Sequence, residues 1–330
     1  MNELPLPYKL SLTMPNILIT GGTGLIGTAL SRMLLEKGYT VTLLSRNARK
    51  GRSTPVGGSQ IRMAQWDLQA QTIDPEAIRQ ADYIIHLAGA GVADKRWSRK
   101  RKEEIVESRT KSSALLVKAL KEIPNKVQAV VSTSAIGWYG ADPSIPNPAP
   151  FEETAPADEE FLGEACRLWE SSIRPITETC KRLVIFRIGI VLSGEGGALK
   201  EFRKPVKLGV AAILGSGKQV ISWIHVEDLC RLYLHAIEDP NWSGVYNAVA
   251  PRPVDNRGLT LELANRLKGR YFVPVYIPSF FLKILLGEMS IEVLKSATVS
   301  AKRVRTTGFQ FLYPSIQSAL EELAPSKPRP

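Results

Sequence analysis

An α/β fold, doubly wound around a parallel sheet and joined to a smaller second unit, is predicted by three features of the sequence. Short β-rich runs alternate with longer amphipathic stretches from residue 16 onward. Three glycines spaced three apart follow the first run. After Leu192 the chain becomes glycine-spotted, and from Pro251 it is more helical with prolines. Strand and helix in alternation call for a parallel sheet, because each crossover lays a helix over one of its faces.

Taken in order, "NILIT" and "TVTLLS" read as strands, separated by a helix from about Leu25 to Glu36 that stops at Gly38. "IRMAQWD", "ADYIIHLAG" and "VQAVVSTSA" follow as further strands. "DPEAIRQ" and "ESRTKSSALLVKALKEI" are helical, the second apolar at i, i+3, i+4 spacing. A helix near "EACRLWESSIRPITETC" and a strand "RLVIFRIGIVL" continue the pattern. Beyond Leu192, "ISWIHVEDLCRLYLHAI" and "GVYNAVA" return to it. The expected organisation is an extension or upstream start over 1–13, then a first domain over 14–192 with a returning segment 220–250. A smaller, discontinuous C-terminal substrate domain takes 193–219 and 251–325, and 326–330 is a tail. A chain of 330 residues is long enough for such a pair.

Composition narrows the class. Apolar content of 44% and charged content of 23% are those of a globular chain. The most apolar run, Val273 to Leu286, is broken by prolines and a lysine, so no span and no membrane partner are expected. The first 13 residues lack the basic start and continuous apolar stretch of a secretory signal. Cys166, Cys180 and Cys230 have neither metal-like spacing nor an even count, so no metal is expected and a reducing cytoplasm is the default. The net charge of +11 and the run "DKRWSRKRKEE" at 94–104 admit a nucleic-acid reading. No nucleic-acid-binding motif accompanies the run, and a solvated helix start explains it, so no nucleic-acid partner is expected.

The glycines carry more specific chemistry. Gly21, Gly24 and Gly27 form G-x-x-G-x-x-G between a strand and a helix, the setting of a dinucleotide-binding turn. The first glycine permits the sharp turn, the second admits a pyrophosphate against bare backbone, and the third lets the helix pack closely. Thr23, Leu25 and Ile26 complete the turn, where helix N–H groups and the positive dipole end face the phosphates. Where an NAD-preferring site carries a carboxylate at the end of the second strand, this chain has Ser45 and Arg46, with Arg49, Lys50 and Arg52 beyond. A guanidinium grips a 2′-phosphate that a carboxylate would repel, so NADP(H) is the expected cofactor and Arg46 its main contact. The alternative is an exposed basic loop.

The glycine motif, "WDL" (66–68), "HLAGAGV" (86–92), "STSAIGWYG" (132–140) and "SWIHVEDL" (222–229) together resemble the extended short-chain dehydrogenase/reductases, with their Rossmann sheet. Adding "FLGEACRLWE", "GEGGAL", "LGSGKQ", "YNAVAPRPVDN" and "GFQFLYPSIQSAL", the chain is similar from Met14 to about Leu323 to the atypical NAD-dependent epimerase family proteins, a group sometimes labelled cell-division inhibitors. The resemblance implies that Asp67 and Leu68 lie by the adenine and that Leu87, Ala88 and Gly89 line the cofactor. Ser132 and Ile188 complete the cofactor set. Ser134 takes the place of the serine that bonds a substrate oxygen, and Arg109 that of a structural asparagine.

One departure governs the functional reading. Members of the superfamily use Tyr-x-x-x-Lys on a helix, where i, i+4 spacing lets the ammonium lower the phenol's pKa. Aligned through Trp169 and Glu170, those positions fall on Leu162 and Cys166, and no tyrosine in the chain has a lysine four residues on. Ser134 as substrate-orienting hydroxyl and Tyr139 as proton donor are the catalytic candidates; packing or stacking is the alternative for Tyr139. His86 reads as a satisfied core histidine, and His225 as a tie between the two units. Glu170 has a helix position within reach of the cleft. The expected function is an NADP(H)-binding oxidoreductase or epimerase acting on a small substrate, nucleotide-sugar-like or a phosphorylated carbonyl. The alternative is a catalytically silent NADP(H) sensor or scaffold, and a homodimer remains open.

Overall fold

The computed structural model describes residues 14–47, 55–56, 59–179 and 181–325. Residues 1–13, the basic residues Arg49, Lys50 and Arg52, Cys180 and the tail 326–330 lie outside them. Eight strands form one sheet: β1 (Asn16–Thr20), β2 (Thr40–Ser45), β3 (Arg62–Asp67), β4 (Thr72–Ile73), β5 (Tyr83–His86), β6 (Ala129–Ala135), β7 (Arg182–Ile188) and β8 (Gly244–Ala248). Their order is β8-β7-β6-β5-β1-β2-β3-β4, parallel throughout except for the short β4. The chain runs outward from β1 through β2 and β3, then returns to the other side of β1 with β5. That reversal makes a switch point beside β1, where open parallel sheets bind ligands at their carboxyl ends.

Strands buried on both faces read as continuous apolar runs, as β1 does over residues 17–19 and β6 over 129–131, although β6 then stays buried through Ser132, Thr133 and Ser134. Ile17 and Ile19 point to one face, where Leu30 and Leu34 of α1 (Leu25–Glu36) close the core with α6 (Val226–Glu238). Leu18 points to the other, covered by α2 (Pro75–Gln80) and by Leu115, Leu116 and Leu120 of α3 (Arg99–Glu122). The basic run at 94–104 is the entry to α3: Ser98 caps the helix by accepting from the Arg101 N–H, 3.2 Å away. Arg101 itself is buried, its guanidinium on the Gly91 carbonyl and on Glu104.

Two elements are shorter than the sequence suggests. Helix α4 ends at Ile173 (Phe161–Ile173), and the chain continues as a 3-10 turn, Arg174–Thr179, because Pro175 cannot supply the next helical N–H. The run "RLVIFRIGIVL" is two strands. At Gly189 a side chain would stand 2.7 Å from the Ser222 carbonyl, and there the backbone leaves the main sheet. Ile190–Ser193 then pairs parallel with Trp223–His225.

This second sheet starts the smaller unit. Its core joins α5 (Ala198–Lys207), α7 (Asn256–Lys268) and α11 (Ile316–Leu323) around Trp223. Val210–Leu214 pairs with Val273–Ile277, and α8 (Ser279–Leu286) and α9 (Met289–Leu294) follow that ladder. Helix α10 (Lys302–Thr306) returns to the edge of the main sheet, where the Arg303 guanidinium covers the Tyr246 ring at 4.5 Å.

Candidate functional site

The glycine turn lies at the carboxyl end of β1, at the switch point. Gly21 has φ +69°, and a side chain there would meet the Leu87 carbonyl at 3.0 Å. At Gly27 a Cβ would stand 2.5 Å from the Gly21 oxygen, so the helix presses directly on the turn. At Gly24, by contrast, only the Gly21 oxygen comes near, at 3.3 Å. Gly24 is also the N-cap of α1 and supplies no side chain to its first-turn N–H groups. Two glycines serve packing, and the middle one leaves bare amides facing outward: the donor set suits a pyrophosphate.

The floor beside the turn is tied by Thr20. Its hydroxyl accepts from the Leu87 and Ala88 N–H groups, both at 3.1 Å, and lies 2.8 Å from His86 Nδ1. With its acceptor sites taken by two amides, Thr20 donates to Nδ1. His86 therefore carries its proton on Nε2 and donates it to Ser113, 3.1 Å away. Burial pushes the His86 pKa down to about 3, so the ring is a neutral structural linker. Thr20, which the sequence reading passed over, gives no signal beyond ending a strand.

The remaining cofactor candidates ring the same edge. Ser45 ends β2 and Arg46 follows it; Arg46 is exposed and has no ion-pair partner among the described residues. The Asp67 carboxylate accepts from the Gln69 and Ala70 N–H groups, which hold its pKa below the usual carboxylate range. Leu68 packs on the apolar core behind it. Gly89 lies against Arg109, whose guanidinium donates to the Ala90 and Ile105 carbonyls and faces the Trp169 ring at 4.8 Å. Ile188 closes β7 at the same edge. Ser132 is fully buried within β6, with its hydroxyl on the neighbouring Thr133 carbonyl.

The catalytic candidates sit in a polar network inside the fold. Arg187 donates to Glu170 from Nε at 2.7 Å and Nη2 at 3.1 Å, a two-pronged ion pair with both partners buried. The Ser134 hydroxyl donates to the same Glu170 oxygen as Arg187 Nε, at 2.9 Å. The Tyr139 hydroxyl donates to Asn247 at 2.7 Å and receives Arg187 Nη1 at 3.1 Å. Ser134, Arg187 and Asn247 are direct partners on three adjacent strands. The Arg187 guanidinium also lies 3.6 Å from the Trp138 ring. Both hydroxyls are thus buried and engaged, and burial is the main cause that raises the Tyr139 pKa. Tyr139 stacks on Phe151, in line with the packing alternative. Arg187 and Asn247 were not foreseen, since cross-strand register is not written in local sequence.

Leu162 and Cys166 face the chain just beyond β6, where a Cβ placed on Gly137 would stand 3.2 Å from Leu162 Cβ and 3.7 Å from Cys166 Sγ. Neither can stand in for a phenol and an ammonium. The buried Cys166 thiol lies 3.6 Å from the Ala135 carbonyl, and its pKa is pushed up to about 11, chiefly by burial. Asp142 straps the loop above: it accepts from Ser296, from the Thr298 N–H and hydroxyl, and from Asn147. His225 Nε2 lies 3.0 Å from Glu322, joining the second sheet to α11. Among the described residues no group of acidic, histidine or cysteine side chains could hold a metal ion.

Comparison with known proteins places this architecture. Residues 17–249 match the NAD dependent epimerase/dehydratase family, and residues 277–323 match a domain of unknown function, DUF1731. The chain belongs to the NAD dependent epimerase/dehydratase family. The epimerase family protein YfhF of Bacillus subtilis is 35% identical over 309 residues, covering 93% of this chain and 97% of that protein. The crystal structure of human epimerase family protein SDR39U1 (isoform 2), solved with NADPH, superposes with a TM-score of 0.81 at 32% identity, over 94% of this chain and 99% of that one. These relatives bear the epimerase name, and the cell-division label finds no support in them.

Proposed function

We propose that this protein binds NADP(H) across the carboxyl edge of its sheet and uses it in oxidoreductase or epimerase chemistry on a small carbonyl or nucleotide-sugar-like substrate. The observation that carries the reading is the pairing of the bare Gly24 cap with an Arg46 that is exposed and, among the described residues, unpaired at the end of β2, a pyrophosphate cradle beside a 2′-phosphate contact. The NADPH of the human relative supports the same choice. Gly21, Thr23, Gly24, Leu25, Ile26 and Gly27 would hold the pyrophosphate, and Asp67 and Leu68 the adenine. Leu87, Ala88, Gly89 and Ile188 would line the remaining length. When bound, the nicotinamide would supply hydride transfer to or from the substrate.

On the protein side, Leu162 and Cys166 supply no proton relay, which leaves Tyr139 or water as the source of a proton. Ser134 could orient a substrate oxygen only by leaving Glu170, and Tyr139 could donate only by leaving Asn247. That engagement favours a second reading, a cofactor-binding sensor without turnover. The free, buried Cys166 and Cys230 suit a reducing compartment such as the cytoplasm. The test is NADPH absorbance loss on a panel of carbonyl compounds and nucleotide sugars. Turnover lost in Ser134→Ala supports the enzyme, whereas tight NADPH binding with no turnover on the panel supports the sensor.

A further inference from the structure

Fourteen large apolar side chains stand exposed among the described residues, and ten of them fall at Leu208 or within residues 271–291. Helix α8 contributes most sharply. Phe280 is 65% exposed, Ile284 68%, Leu285 59% and Phe281 53%, while Leu282 alone is buried. The preceding strand, Val273–Ile277, continues the patch with Val273 and Tyr276. A contiguous apolar surface of this kind marks an interaction face rather than chance exposure.

Its charge says what covers it. Lys207, Lys268, Arg270 and Lys283 lie along the patch, and among the described residues none of them is in an ion pair. Glu288 is the only carboxylate within residues 268–291, and it is held by Lys102. A side chain at Gly287 would touch the Arg96 guanidinium at 2.9 Å, so the exposed basic entry to α3 borders the apolar helix. Carboxylates lie at the α9 end of the patch, where Asp158 and Glu160 stand near Glu292. Along α8 and the strand before it, the aromatic and aliphatic groups are accompanied by lysine and arginine, the composition of a helix that lies in a lipid interface. A two-fold pairing of this face with a second copy would instead set the same unpaired cations against one another.

We propose that this face docks the protein on an anionic phospholipid surface, with α8 lying in the interface plane and Phe280, Phe281, Ile284 and Leu285 entering the headgroup boundary. The expectation of no membrane partner rested on the lack of a spanning helix, and an interfacial helix needs no span. At about 12 Å, α8 is far too short to cross a bilayer. Each unpaired cation adds about fivefold to the affinity for an anionic leaflet, and high salt removes that part.

The experiment is co-sedimentation of the full-length protein with vesicles of phosphatidylcholine alone, or with a third of it replaced by phosphatidylserine. Binding to the anionic vesicles is expected, roughly tenfold or more above neutral ones, and suppressed by high salt. Phe280→Ser with Phe281→Ser should lower it at least about tenfold, and Lys283→Glu more than about fivefold, with melting temperature and NADPH affinity unchanged. No binding to anionic vesicles, equal binding to neutral ones, or variants that bind like the parent would overturn the proposal. So would a dimer in sedimentation equilibrium that the paired serine variant dissociates while vesicles are ignored.

Discussion

At Gly27 a methyl group in place of hydrogen would stand 2.5 Å from the Gly21 oxygen and from the Gly22 Cα, both backbone atoms with nowhere to move. Gly27→Ala is therefore expected to cost about 1–3 kcal/mol of stability by denaturant unfolding, and to weaken NADPH more than tenfold by distorting the turn. Arg46 acts on the other end of the cofactor. Arg46→Ala should raise the NADPH Kd by about tenfold, one charge-assisted hydrogen bond's worth, and leave NADH within about twofold. Equal losses for the two coenzymes would remove Arg46 from the 2′-phosphate. The glycines and Arg46 were legible because their meaning is local: a turn, a helix start and the end of the next strand lie within one βαβ unit. Thr20 was not, because its role exists only once β5 lies beside β1.

At the scale of elements, one ion pair fastens α4 to the sheet. Arg187 and Glu170 are 2% and 1% exposed; Glu170 keeps Arg174 at 3.4 Å, but without Glu170 the Arg187 guanidinium is buried with no carboxylate among the described residues. Glu170→Gln should cost about 3–5 kcal/mol of unfolding free energy, and pairing Glu170→Leu with Arg187→Met should restore most of it. His86 sets a pH dependence between β1, β5 and α3. Above pH 6.5 both folded and unfolded imidazoles are neutral and this stability is fully present. As pH falls from 6.5 toward 3, only the unfolded state takes up the proton, so stability declines by up to about 1.4 kcal/mol per pH unit. Urea midpoints measured down that range should show a shallower fall in His86→Gln; an identical slope would contradict the neutral, buried ring. Helix α1 was readable to the residue from its glycines and apolar spacing. The break at Gly189 was not, since it depends on Ser222, which is distant in sequence. The end of α4 could have been taken from Pro175.

Over the whole molecule, the sheet order and its switch point bring residues from five strand ends to one edge, and the alternation of strand and helix foretold that assembly. The second unit was visible mainly as a change of texture after Leu192. Its detailed course depends on ties such as Asp142 to Ser296 and Thr298, and His225 to Glu322, which no local pattern encodes. The apolar run at 273–286 was conspicuous in the sequence, but only the structure shows that its side chains face outward. The claim on which the functional reading rests is that the edge beside β1 is an NADP(H) site. Calorimetric titration of the intact protein with NADPH and NADH tests it directly. A saturable single-site heat with NADPH, and binding of NADH weaker by about tenfold or more, is the expected result. Heat with neither coenzyme, or equal affinity for both, would contradict it.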